Sequence, residues 1–337
     1  MLCDIRYIIR DQLVERGIKV RYIETLKEGD RIADIYLCKQ KNSALTKSGK
    51  PYDNLILQDK TGTIDGKIWD VNSQGIDDYS SLDYVDVVAD VTSFQGALQL
   101  NIKRIRKVSE GEYIPADYLP MSEYSLDGMF DELLGFIDSV QNTYLNQLLK
   151  KFFVEDQSFA QKFKQHSAAK MVHHGFVGGL LEHTLNVARV SDFYSKMYPI
   201  LNRDLLMTAA ICHDIGKLYE LSPLPENDYT DEGNLLGHLV MGSEMIGELI
   251  REIPGFPRDL GLELKHCILA HHGELEYGSP KRPALAEAIA LNFADNVDAK
   301  METMKEMMNG SADPSSKWMG YNRLFESNIR RTTVDGK

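Results

Sequence analysis

The hydrophobic pattern changes its period once along the chain, and that change bounds every fold open to it. From about residue 18 to 108 the apolar side chains alternate or come in short runs. The segments are Arg31-Ile32-Ala33-Asp34-Ile35-Tyr36-Leu37, Asn54-Leu55-Ile56-Leu57-Gln58, Gly66-Lys67-Ile68-Trp69, Val85-Asp86-Val87-Val88-Ala89-Asp90-Val91 and Ala97-Leu98-Gln99-Leu100-Asn101-Ile102. A period of two places successive side chains on opposite faces, so these segments are expected strands. Asp59-Lys60-Thr61-Gly62-Thr63 and Gln95-Gly96 supply glycine-bearing hairpin turns between them. Five short strands closing on one another suggest a small barrel.

Residues 109–125 contain Pro115 and Pro120 and hold no period, which predicts a linker. Beyond it the period becomes that of a helix. Leu126, Met129, Phe130, Leu133, Leu134, Ile137 and Val140 form one stripe, which Leu145, Leu148, Leu149 and Phe152 continue. Further helices are expected at about 180–198, 203–213, 234–251, 258–272 and 283–308. The resulting layout is multidomain: a segment 1–17, an all-β domain 18–108, a linker 109–125, an all-α domain 126–308 and an irregular tail 309–337. Within that tail Arg323-Leu324-Phe325 could dock back on the body. A length of 337 residues accommodates two domains.

At 43% hydrophobic and 26% charged, the composition is that of an ordinary globular protein and excludes a disordered or collagenous chain. Cys3, Cys38, Cys212 and Cys267 form no CxxC pair, so reduced thiols and a cytoplasmic setting are expected. Met1-Leu2-Cys3-Asp4-Ile5-Arg6 develops no signal-peptide core. The richest apolar stretch, Leu235 to Ile250, is broken by His238, Glu244 and Glu248, so no membrane span and no membrane partner are expected.

The net charge of −12 would discourage a polyanionic partner if it were evenly spread. It is not: residues 1–110 carry 17 basic and 17 acidic side chains, and residues 111–337 carry 21 and 33. Within the neutral part Lys39, Lys41, Lys47 and Lys50 share one stretch, and Lys103-Arg104-Ile105-Arg106-Lys107 form another. Either cluster alone is what a solvated loop or strand end looks like.

Eight of the nine histidines fall between His173 and His272. His183 stands in Leu180-Leu181-Glu182-His183-Thr184-Leu185. His213-Asp214 stand in Ala209-Ala210-Ile211-Cys212-His213-Asp214-Ile215-Gly216-Lys217. His238, the pair His271-His272, and Asp295 in Asn292-Phe293-Ala294-Asp295 follow. Each lies on or at the end of an apolar helix, where an unpaired imidazole or carboxylate costs a few kcal/mol to bury unless it binds a partner or a metal. Any one of them could be a satisfied core residue; the set needs a shared explanation.

The order His, His-Asp, distal His, His-His, Asp resembles that of the HD-domain metal-dependent phosphohydrolases. In that family's two-metal members, the resemblance implies one ion on His183, His213, Asp214 and Asp295. Asp214 would bridge to a second ion on His238, His271 and His272. Imidazoles with carboxylates and no cysteine suit Mn²⁺, Fe²⁺, Co²⁺ or Zn²⁺. Two ions about 3.5–4 Å apart would polarise one phosphate and acidify a shared water, favouring hydroxide attack on phosphorus. Lys217 could reach a non-bridging phosphate oxygen, although an exposed helix-end lysine would read the same way. His173-His174-Gly175-Phe176-Val177-Gly178-Gly179 could grip a phosphate or protonate a leaving oxygen through a histidine, His174 being the candidate; a plain helix-entry loop is the alternative. Cys212 and Cys267 are expected to pack in the core.

Residues Pro51 to Asp70 look like the second and third strands of an OB-fold with their turn. Tyr36, Tyr52, Trp69 and Phe94 would supply stacking faces beside Lys39, Lys41, Lys47 and Lys50, the arrangement with which such barrels hold single strands. An OB-fold joined to an HD domain resembles the architecture of the YhaM-type 3′–5′ exoribonucleases along nearly the whole chain, including Trp318 and Asn322-Arg323-Leu324-Phe325-Glu326-Ser327. That resemblance implies a bacterial cytoplasmic hydrolase activated by Mn²⁺. It would release nucleoside 5′-monophosphates from single-stranded RNA, with tolerance for DNA and room for homo-oligomers. The rivals are an HD hydrolase of a small nucleotide or cyclic dinucleotide and a non-catalytic single-strand-binding regulator. His271-His272-Gly273-Glu274-Leu275 lacks the Gly-Tyr-Pro order of the cyclic-dinucleotide subfamily, and no expected ligand position is empty.

Overall fold

The computed structural model describes residues 21–46, 48–170, 174–309 and 316–333. It divides into two compact units, one of residues up to Met121 with Leu224–Glu226, the other of the remainder.

The first unit is built on β1 (Arg31–Leu45), β2 (Pro51–Asp59), β3 (Gly62–Ile68), β4 (Tyr84–Phe94) and β5 (Ala97–Lys107). They close in the order β1-β2-β3-β5-β4, antiparallel except where β3 meets β5. A five-stranded barrel of this connectivity is the OB arrangement. The period of two is realised directly: Val85, Val87, Ala89 and Val91 of β4 point inward with Leu55, Leu57, Leu100, Ile102 and Ile105. Bulges at Cys38–Gln40 and Val88–Ala89 add the twist and bend that closure requires. The linker expected from residue 109 begins later. Tyr113 stacks on Tyr84 with centroids 3.7 Å apart, Tyr118 is buried, and Gln58 Nε2 donates to the Tyr118 carbonyl at 3.1 Å. Two prolines had hidden a segment that packs by aromatic side chains rather than by a regular period.

The second unit is helical: α1 (Leu126–Ser139), α2 (Thr143–Lys150), α3 (Gln157–Gln165), α4 (Gly179–Met197), α5 (Arg203–Cys212), α6 (Lys217–Glu220), α7 (Asp231–Glu252), α8 (Arg258–Ala270) and α9 (Ala286–Asn309). Side chains of Ser125, Asn142, Asp156, Asn202 and Thr230 cap five of these helices at their N-termini. In α5 every residue from Leu205 to Cys212 is buried, which makes it the central helix, so the His213-Asp214 pair that follows it emerges inside the protein. Cys212 and Cys267 are buried in the helical core. The tail differs from expectation: β6 (Trp318–Asn322) and β7 (Ser327–Arg330) pair as an antiparallel hairpin. Among the described residues no helix is long and apolar enough to cross a membrane.

Candidate metal centre and nucleic-acid face

The local folding of the helical unit aims the predicted side chains at one point. His213 and Asp214 leave the C-terminus of α5, and Gly216 lets the following turn press against α7. A Cβ there would stand 2.2 Å from the His238 carbonyl oxygen. Gly237, at φ +72°, breaks α7 immediately before His238. His271 and His272 follow the last turn of α8, and α9 contributes Asp295.

Five imidazoles have Nδ1 engaged and Nε2 turned toward the cluster. His213 Nδ1 donates to the Ala210 carbonyl, His271 Nδ1 to that of Ile268 and His272 Nδ1 to that of Tyr277, each at 2.8 Å. His183 Nδ1 meets Asp298 Oδ2 at 2.7 Å, and His238 Nδ1 meets Glu220 Oε1 at 2.8 Å. A carbonyl only accepts, so Nδ1 of His213, His271 and His272 carries a proton, which leaves Nε2 as the atom each neutral ring offers to a metal.

Asp214 lies between two groups of these nitrogens. Its Oδ2 is 3.5 Å from His183 Nε2 and 3.3 Å from His213 Nε2; its Oδ1 is 3.4 Å from His238 Nε2 and 3.7 Å from His271 Nε2. Asp295 Oδ1 joins the first group, 3.2 Å from His183 Nε2, and His272 Nε2 joins the second, 3.3 Å from His238 Nε2. All seven predicted ligand positions are thus brought together. Donor atoms of His183, His213 and Asp295, of His213, Asp214 and His271, and of His238, His271 and His272 lie within 4.8 Å of one another in each triple.

These residues fit divalent cations. Asp214 Oδ1 is buried without a hydrogen-bond partner, and Nε2 atoms face each other at 3.1 Å between His183 and His213 and at 3.3 Å between His238 and His272. Both features are costly unless positive charge sits among them. The two carboxylates depend on positive neighbours. Burial opposes the charge of Asp214, yet Lys217, His213 and His238 hold its carboxyl well below the usual carboxylate range. Asp295 is lowered too, burial being outweighed by His183, His213 and His271. Burial also opposes a charged His183, but Asp295 and Asp298 overcome it and hold the pKa up at about 10. His271 is pushed well below its ordinary value by burial and by His272 and His213.

Two catalytic candidates stand in particular relations. Lys217 Nζ is 2.7 Å from Asp214 Oδ2, and with His174, His183, His272 and Asp295 it lines a cavity of about 170 Å³. His174 is buried, with Nε2 at 2.9 Å from Asp298 Oδ2 and Nδ1 without a hydrogen-bond partner, so it braces Asp298 from the cavity wall. His173 lies outside the described residues. Asp298 and Glu220 were not anticipated from sequence. Each stands three residues beyond a predicted position, Asp295 and Lys217, on the same helical face, and that spacing was the available signal.

The barrel candidates separate. Tyr52 and Trp69 stack, with centroids 5.4 Å apart and planes at 24°, and Trp69 is 52% exposed. Lys39 and Lys50 are exposed as expected, and Lys47 lies outside the described residues. Tyr36 must be withdrawn as a stacking face, because it is wholly buried in the barrel core. Its neighbours in β1 had suggested alternation, but the run from Ile35 to Cys38 is buried continuously. Lys41 is also committed internally: Nζ donates to the Tyr79 carbonyl at 3.0 Å and pairs with Asp53 at 3.4 Å. Phe94 is exposed at the tip of the β4–β5 hairpin. By the β3–β5 register it stands about 20 Å along the sheet from Trp69, so the two do not share one stacking site.

Comparison with known proteins agrees with this layout. The sequence model of the HD domain matches residues 180–300, a span that holds every residue of the cluster. The chain is 36% identical to the 3′-5′ exoribonuclease YhaM of Geobacillus sp. (strain WCH70) over 276 residues, 81% of this chain and 83% of that one. It is 35% identical to the 3′-5′ exoribonuclease YhaM of Bacillus pumilus (strain SAFR-032) over 283 residues, 84% of this chain and 89% of the other. With such identity over more than four fifths of its length, the chain belongs to the YhaM family of 3′–5′ exoribonucleases.

Proposed function

We propose that this protein is a metal-dependent 3′–5′ exoribonuclease that shortens single-stranded RNA and releases nucleoside 5′-monophosphates. The observation that carries the reading is the place of Asp214, whose two oxygens each face a separate pair of imidazole Nε2 atoms. Asp214 would bridge two cations. His183, His213 and Asp295 would complete the site of one, and His238, His271 and His272 that of the other. Bound there, the ions would supply Lewis acidity toward a phosphate and a more acidic water. Imidazole-rich sites with carboxylates accept Mn²⁺, Fe²⁺, Co²⁺ or Zn²⁺, and Mn²⁺ is our expectation for activity.

The protein's own groups do the rest. Asp298 and Glu220 would orient the rings of His183 and His238 through Nδ1. Lys217, on the wall of the cavity beside Asp214, would bind a non-bridging phosphate oxygen. The Tyr52–Trp69 pair, with Lys39 and Lys50, would hold single-stranded RNA. Free buried thiols and the absence of a membrane-spanning helix among the described residues are compatible with action in the cytoplasm.

The test is direct. Full-length protein is incubated with 5′-labelled and 3′-labelled RNA and DNA oligomers and Mn²⁺. Progressive shortening of the 5′-labelled RNA, with mononucleotides released at once from the 3′-labelled strand, is expected. Hydrolysis confined to nucleoside triphosphates or cyclic dinucleotides would replace this reading with the small-nucleotide one.

A further inference from the structure

The C-terminal hairpin carries a feature that the proposed chemistry does not use. Trp318 and Tyr321 are three residues apart in β6, a spacing that would ordinarily send them to opposite faces. The register shifts between Trp318 and Gly320, where Gly320 takes φ +90°. As a result Trp318 pairs opposite Arg330 and Tyr321 opposite Asn328. Residues directly opposite share a face, and Asn328 and Arg330 are two apart in β7, so all four side chains lie on one face. Trp318 is 59% exposed and Tyr321 65%.

The other face holds the hairpin in place. Met319, Asn322 and Ile329 are part-buried, Asn322 Nδ2 contacts Met307 Sδ at 3.0 Å, and Arg331 donates to the Met308 carbonyl at 2.8 Å, both at the end of α9. The exposed aromatics are therefore not needed to seal a core. Charge sets this element apart from its surroundings. Residues 316–333 contain Lys317, Arg323, Arg330 and Arg331 against Glu326 alone, within a C-terminal part that has 21 bases and 33 acids. Two aromatic faces with exposed Arg330 beside them, on a hairpin that also carries exposed Lys317 and Arg323, have the chemistry that stacks bases and pairs with phosphates. A protein partner would have no comparable reason to meet a basic island on an acidic unit.

We propose that the β6–β7 hairpin is a second binding site for single-stranded RNA, with Trp318 and Tyr321 stacking on bases and Arg330 contacting the backbone. This rests on the exoribonuclease reading for its choice of ligand. The test uses the full-length chain and the variants Trp318→Ala, Tyr321→Ala, Trp318→Phe and Arg330→Ala. Binding of a fluorescent 15-nucleotide RNA is measured with chelator present, and turnover of the same RNA and of bis-p-nitrophenyl phosphate with Mn²⁺.

Each alanine substitution of an aromatic should raise Kd and KM for RNA roughly five- to 150-fold, the effect of one lost stack. Trp318→Phe should retain most of the affinity, and Arg330→Ala should lower the salt dependence of binding by about one phosphate contact. Hydrolysis of the small ester should be unchanged throughout. Unaltered RNA affinity in both alanine variants would overturn the proposal. So would unaltered affinity accompanied by a change of oligomeric state, which would assign the face to a second copy. Failure of the wild type to shorten RNA would instead sink the exoribonuclease reading, and the chelated binding assay would still decide the hairpin's role.

Discussion

Asp298 grips His183 from behind: Oδ2 meets Nδ1 at 2.7 Å, leaving Nε2 directed at Asp214 and Asp295. The same oxygen receives His174 at 2.9 Å, so one carboxylate fixes two rings. Burial opposes its charge, but hydrogen bonds from His174 and His183 more than compensate and keep it ionised well below the ordinary range. An outer carboxylate of this kind sets the tautomer and raises the basicity of the ring it holds. Asp298→Asn should therefore lower the affinity for activating metal about 10- to 100-fold, with fold and RNA binding retained. A Mn²⁺ titration of activity beside thermal unfolding separates the two, and an unshifted titration would remove Asp298 from the site.

Asp214 has no such substitute, because both groups of imidazoles depend on it. Asp214→Ala should bind fewer metal ions per chain, by elemental analysis after loading and desalting. Its turnover should fall on the order of a thousandfold or more, since the Lewis acidity lost is worth several kcal/mol. Single-strand binding, measured by fluorescence anisotropy, should stay within a few fold of wild type. Comparable turnover in the variant would refute the bridging assignment.

The barrel face makes a separate prediction. Trp69 is exposed and stacked on Tyr52, so Trp69→Ala removes a platform without opening the core. KM for RNA should rise roughly five- to 150-fold, one base stack being worth about 1–3 kcal/mol, while kcat and hydrolysis of a small phosphodiester hold. Tyr36→Phe should leave KM untouched, because the ring is buried.

What was legible in the sequence followed from chemistry that is costly to bury. Imidazoles and carboxylates on apolar helices needed a common partner, and the structure brings His183, His213, Asp214, His238, His271, His272 and Asp295 to one place. The strands of the barrel were legible because β4 and its neighbours keep a period of two. Supporting residues were not, because Asp298 and Glu220 look like any acidic residue on a half-buried helix until a ring nitrogen is found against them. Aromatic roles were equally hidden: Tyr36 and Trp69 both stand in expected strand segments, but Tyr36 turns into the closed barrel while β3 ends at Ile68 and leaves Trp69 exposed. The tail failed for a related reason. A hairpin of five and four residues with a bulge has too short and too broken an alternation to register.

Gly216 offers a prediction about how the centre is assembled. Its Cβ position lies 2.2 Å from the His238 carbonyl oxygen and 2.8 Å from the Gly242 nitrogen, both backbone atoms of α7 that no side-chain rotation can clear. Gly216→Ala must therefore push the turn carrying Asp214 and Lys217 away from the helix carrying His238. Overpacking of this kind costs about 1–3 kcal/mol of stability. The larger consequence is geometric, since Asp214 Oδ1 and His238 Nε2, now 3.4 Å apart, would separate. Gly135→Ala is the control: that position is exposed within α1 with nothing within 4 Å, and alanine there should stabilise the helix by about 0.5–1 kcal/mol. Thermal unfolding with and without Mn²⁺ reads both effects. Gly216→Ala should lose most of the stabilisation that metal confers, and Gly135→Ala should keep it. Equal metal-dependent shifts in the two variants would show that the turn and α7 need not touch for the centre to form.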